Sequence, residues 1–141
     1  MKNQIYPCLW FDGKAQEAAQ FYCSIFKNSK ITADNQTVVT FELNGKKFMG
    51  LNGGPEFKFN EAVSLVVDCE TQEEIDHLWD KLTSEGGKEG NCGWLKDKFG
   101  VSWQIVPTVL PKLLSNPEKA KNVMEAFMKM KKFDIEKLIN S

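Results

Sequence analysis

The chain has 141 residues, 42% of them hydrophobic and 26% charged, and a net charge of −1. That balance describes one globular domain, or two small halves sharing a core, and excludes disordered, collagen-like and membrane-spanning classes. All 18 basic residues are Lys, so the chain lacks the planar guanidinium fork that reads phosphates and guanine edges, and its charge lacks the footprint of a nucleic-acid binder. His77 is the only histidine. Cys8, Cys23, Cys69 and Cys92 form no C-x-x-C pair, which excludes zinc-ribbon and thioredoxin-type readings. Met1 opens directly into an apolar strand pattern without the regions of a signal peptide, so reduced thiols in the cytoplasm are expected. No apolar run approaches the roughly 20 residues of a membrane span.

The aromatic-rich run Gln4 to Phe11 predicts a buried strand, stopped by Asp12 and Gly13. From Lys14 to Phe26, the residues Ala15, Ala18, Ala19, Tyr22 and Phe26 recur at spacings of three and four, as an amphipathic helix on a sheet requires. Thr37 to Leu43 alternates, Asn44-Gly45 is a strong hairpin signal, and Lys46 to Leu51 returns as the partner strand. Asn52-Gly53-Gly54-Pro55 then breaks the chain.

The same order then begins again. Val63 to Val67 predicts a strand and Gln72 to Leu82 a helix, with Ile75, Leu78, Trp79 and Leu82 on one face. Cys92 to Lys96 and Val101 to Val106 predict a hairpin across Asp97-Lys98-Phe99-Gly100. An offset of 56 superposes Asp12 on Asp68, Gln16 on Gln72 and Phe26 on Leu82, and an offset of 55 maps Gly45 onto Gly100 and Phe48 onto Trp103. A half of about 55 residues would have only a marginal core, so two modules must bury one sheet against another or close a curved cavity. The expected fold is therefore α+β. Residues 1–107 are expected to form one domain of two modules, about 1–55 and 60–107, each strand-helix-strand-strand with an optional further strand and a mixed or antiparallel curved sheet around a cavity, and residues 108–141 a helical extension. In that extension Asn116-Pro117-Glu118 is a helix start, Val123, Phe127 and Met130 form an apolar stripe, and a short helix is expected from Asp134 to Ile139.

Four stretches carry a resemblance: Pro7 to Phe26 with Trp10-Phe11-Asp12-Gly13 and Phe21-Tyr22, Gly93 to Asp97, Gly100 to Pro107, and Met130 to Ile135. Together they resemble the vicinal oxygen chelate superfamily, and within it the PhnB-like branch that carries the 3-demethylubiquinone-9 3-methyltransferase label. The resemblance implies paired modules around an open cavity and a homodimer, since family members commonly pair. In the superfamily's metal enzymes, such as glyoxalase I, the first and last strand of each module supply His, Glu or Gln ligands. Carried over, the last-strand positions are Met49 and Gln104, and the first-strand positions are Ile5 or Tyr6 and Glu61 or Ala62. Only Glu61 and Gln104 among these suit a hard or borderline ion, and a thioether at Met49 does not. Three protein ligands are the norm for a catalytic site, and His77 lies on a helix, so no metal and no other cofactor are expected. The methyltransferase label meets a similar objection. A common S-adenosylmethionine site uses a glycine-rich turn leading from a strand into a helix, whereas Gly50 to Pro55 leads into Glu56, Phe57 and Lys58 with no helix signal.

The favoured expectation is a metal-independent cavity that binds an unknown small molecule, walled by Trp10, Phe41, Met49, Trp94 and Trp103, with Lys96 and Gln104 as orienting polar groups. No nucleic-acid or membrane partner is expected, and no catalytic residue can be named. The alternative is an enzyme of unknown reaction, a glyoxalase-like lyase or isomerase, or a methyltransferase. A third reading gives the Lys- and Met-rich tail the task of building the homodimer.

Overall fold

The computed structural model describes residues 3–141. It divides into two compact units, one ending at Phe59 and the other running from Asn60 to Ser141. The first contains β1 (Cys8–Phe11), α1 (Ala15–Ile25), β2 (Lys30–Asp34), β3 (Val38–Leu43) and β4 (Lys46–Asn52). The second contains β5 (Ser64–Cys69), α2 (Gln72–Leu82), β6 (Lys88–Glu89), β7 (Trp94–Lys96) and β8 (Ser102–Pro107), then α3 (Val109–Leu114), α4 (Ala120–Phe127) and α5 (Ile135–Ile139). The sheet orders β1-β4-β3-β2 and β5-β8-β7-β6 are the same topology. In each, the first strand runs parallel to the last and the remaining pairs are antiparallel. The fold is α+β, and the internal repeat read from the sequence is a repeat of structure. No helix among the described residues is long and apolar enough to cross a membrane.

In both units one sheet face carries the helix. Ala15, Ala18, Ala19 and Tyr22 of α1 are buried with Leu9, Phe11, Val39 and Phe41, and Ile75, Leu78, Trp79 and Leu82 of α2 with Leu95, Trp103 and Ile105. The helix starts use different caps. The Thr71 hydroxyl accepts from the Glu74 amide at 3.2 Å and donates to the Glu74 carboxylate at 3.2 Å. Lys14 supplies no side-chain cap, and Asn52, at the end of β4, accepts from the Ala15 amide at 2.8 Å instead. The cap thus ties α1 to its own sheet.

Three details differ from the sequence reading. The first strand begins at Cys8 rather than Gln4, because Pro7 has no N–H for the ladder, although its carbonyl still accepts from Met49 at 3.0 Å. Strand β2 is an exposed edge with a register shift between Ile31 and Ala33, and β6 has two residues; neither carries a buried alternation that a sequence could show. Helix α3 is additional, and α4 starts at Ala120 rather than beside Pro117, since the Asn116 side chain accepts from Glu118 in a local turn.

Residues 108–141 belong to the second unit. The amides of Cys92 and Gly93 donate to Met130 and Lys131 carbonyls at 2.8 Å each. Gln72 donates to the Phe133 carbonyl at 2.9 Å and accepts from the Ile135 amide at 2.8 Å. Lys132 pairs with Asp76 at 2.8 Å, and this ammonium, with help from Gln72, holds the Asp76 carboxyl below its ordinary range. The stripe residue Val123 is buried within this unit, and Phe127 meets Phe133 edge-on at 6.1 Å. Met124 and Met128 remain exposed.

Candidate functional site

Strand alternation sorts the expected site residues into two groups, because register partners project to the same face. In the second sheet Leu95, Trp103 and Ile105 are buried on the α2 side. The opposite face carries Trp94, Lys96, Ser102 and Gln104, with Ser64 and Val66 of β5 in register beside Ser102 and Gln104. In the first sheet the face turned away from α1 carries Met49, flanked by Cys8 and Thr40, and Trp10 beside Leu51.

Trp10, Met49, Trp94, Lys96 and Gln104 therefore lie on the helix-free faces of their sheets. Phe41 and Trp103 do not. Phe41 is fully buried, stacked on Phe48 at 5.5 Å and near Tyr22 at 6.2 Å. Trp103 is buried and donates from its indole to Asp97 at 2.9 Å. Both belong to the cores, as their alternation with Val39 and Leu43, and with Ile105, requires.

Trp10 is fixed rather than free to rotate. Its indole N–H donates to the Gly54 carbonyl at 2.8 Å, and Phe57 meets its ring edge-on at 4.8 Å. A side chain at Gly53 would collide with the Trp10 ring, so this glycine serves close packing under an aromatic ring. The Gly-rich segment is the end of β4 and a loop, and the next helix is α2. It does not fit the phosphate- or cofactor-cradling turn of an S-adenosylmethionine site.

On the second sheet the polar groups are already engaged. Gln104 donates from its side-chain nitrogen to the Ser64 hydroxyl at 3.0 Å. Lys96 forms a close ion pair with Glu61, and hydrogen bonding to that ammonium holds the Glu61 carboxyl below its ordinary range. Glu61 precedes β5 rather than lying in it, and Ile5 and Tyr6 precede β1. The first-strand residues beside Met49 and Gln104 are Cys8 and Val66. A lone thiol beside a thioether, a hydrophobic side chain beside an amide bonded to a hydroxyl, and a carboxylate bonded to an ammonium do not make the three-ligand set that a divalent cation needs. Among the described residues no three His, Cys, Asp or Glu side chains gather, and His77 is exposed on α2. Burial pushes the Cys69 thiol up to about 11, which keeps it a poor nucleophile at neutral pH.

Sequence reasoning missed Ser64 and Ser102. The signal was present: Ser102 lies two residues before Gln104 in an alternating strand, and therefore on its face. The hydroxyl of Ser102 is buried with no hydrogen-bond partner among the described residues.

The profile of the 3-demethylubiquinone-9 3-methyltransferase family matches residues 3–106. Among solved structures, the chain is similar to a PhnB protein from Bacillus cereus, with 36% identity and a TM-score of 0.68 over 75% of this chain and 100% of that one. Protein PA1353 from Pseudomonas aeruginosa shares 20% identity, with a TM-score of 0.61 over 75% and 98% of the two chains. A fosfomycin resistance protein from Listeria monocytogenes, solved with Mn(II) and sulfate, shares 12% identity, with a TM-score of 0.60 over 80% and 96%. The last two likenesses concern the fold alone. No curated protein matches the chain.

Proposed function

Because the chain belongs to the 3-demethylubiquinone-9 3-methyltransferase family, the PhnB-like branch of the vicinal oxygen chelate superfamily, we propose that it binds a small organic molecule without a metal ion, as a cytoplasmic homodimer. One observation carries this reading: Trp94, Lys96 and Gln104 share the helix-free face of the second sheet, where an indole surface and convergent polar groups can orient a ligand. Gln104 holds the strand position that a metal ligand takes in the superfamily's enzymes, yet its amide donates to Ser64 and its neighbours are poor metal donors. Val63 and Val66, exposed at the β5 edge of the sheet, and the exposed Met124 and Met128 support a self-association surface. Four free thiols support a reducing compartment.

Titration with Zn²⁺, Ni²⁺ and Mn²⁺ is expected to reveal no site of micromolar affinity or tighter. A stoichiometric site lost in Gln104→Ala, or turnover of a methylglyoxal–glutathione adduct, would overturn the reading. Sedimentation of the full chain at micromolar concentration is expected to give a dimer, and a monomer would remove that part of it.

A further inference from the structure

Resting on that reading and deepening it, we infer that the ligand is a small organic oxyanion, held by Ser64, Ser102 and Lys96, and that Glu61 is its built-in competitor. The three residues form one row across the sheet: Ser64 and Ser102 are register partners on β5 and β8, and Ser102 and Lys96 on β8 and β7. All project to the face away from α2.

The donors in this row are only partly used. The Ser64 oxygen accepts from Gln104, which leaves its own O–H proton to donate elsewhere. Ser102 is 1% exposed, and its hydroxyl has no partner among the described residues. A buried hydroxyl without a partner is costly and uncommon in a well-ordered core, and here its residue is the register partner of Lys96. Two hydroxyls and an ammonium in a row suit an anionic oxygen group, because hydrogen bonds to a charged acceptor are the strong ones.

The chain itself shows that Lys96 accepts a carboxylate. Glu61 supplies one, from the turn before β5, with its side chain 63% exposed. A long, exposed side chain in a turn exchanges easily with solvent, and a surface ion pair is worth little. An incoming carboxylate, phosphonate or phosphate monoester replaces Glu61 on the ammonium and gains the Ser102 hydroxyl that Glu61 leaves unpartnered. Trp94, two residues from Lys96 on the same strand face, offers the organic part of the ligand a flat surface.

Calorimetric titration of the full chain with benzoate and phenylphosphonate, and with neutral benzamide, tests this. Both anions are expected to bind about tenfold or more tightly than benzamide, and the stronger of them identifies the oxygen group preferred. Ser102→Ala is expected to weaken anion binding by about tenfold, leave benzamide unchanged and leave the melting temperature unchanged or raised, since it removes an unsatisfied hydroxyl. Glu61→Gln is expected to tighten anion binding without affecting benzamide. Equal binding of benzamide and benzoate, or an unchanged or weakened anion affinity in Glu61→Gln, would overturn the oxyanion assignment and leave small-molecule binding standing. Failure of both anions to bind would also overturn it, and the broader reading then rests on whether the purified protein retains a ligand.

Discussion

Asp97→Ala is expected to lower the stability of the second unit by about 2–5 kcal/mol, because it deprives two buried N–H donors of their acceptor at about 1–3 kcal/mol each. Asp97 is 3% exposed. One of its oxygens accepts from the Phe99 amide at 2.8 Å and the Val101 amide at 3.1 Å, and the other from the Trp103 indole at 2.9 Å. The same carboxylate therefore closes the β7–β8 turn and fixes one of the two buried tryptophans of the unit. Alanine strands an indole N–H and a backbone N–H in the interior, and each carries the full cost of desolvation. Because β7 and β8 carry Lys96, Ser102 and Gln104, the loss would also loosen the proposed site. Chemical denaturation reads the effect; a cost below about 1 kcal/mol would show that water or a neighbouring group replaces the carboxylate.

Phe133→Ala is expected to cost a similar amount, about 3–5 kcal/mol, and to make residues 130–139 susceptible to protease. The Phe133 ring is buried and lies directly over Gly93, whose φ of +82° and missing Cβ allow the close approach. Gly93→Ala should reproduce the effect from the other side, because its methyl would meet both the ring and the Ile105 carbonyl, the latter at 2.9 Å. The backbone bonds from Cys92 and Gly93 to Met130 and Lys131 add to this anchor. Denaturation together with limited proteolysis checks it. Unchanged stability and an intact tail would mean that α5 and the Gln72 bonds hold the segment without the ring.

The repeat was legible because both halves use the same alternation of apolar and polar positions, and helix α2 appears with the bounds its pattern predicts. Met49 and Gln104 hold corresponding places in the last strands of the two sheets, each on the side away from its helix, because the same alternation runs through both. Phe41 and Trp103 show the limit of counting aromatics: an aromatic residue suits a ligand wall and a core equally, and only its strand neighbours decide. Phe41 alternates with Val39 and Leu43, and Trp103 with Ile105, so each shares its side with aliphatic residues that the helix covers. Ser102 was overlooked because a small hydroxyl carries no hydropathy signal, although it shares a face with Gln104. The edge strand β2 is exposed along its whole length, so neither burial nor periodicity marks it. The tail's place in the second unit depends on contacts across about 40 to 60 residues of chain, such as Gln72 to Phe133, which local patterns cannot register.

The proposal that a small molecule is bound without a metal is tested most directly by native mass spectrometry of the full chain, purified without chelator. The expected spectrum is a dimer carrying an exchangeable organic ligand and no stoichiometric metal. A divalent metal at one equivalent per chain, lost in Gln104→Ala, would contradict it.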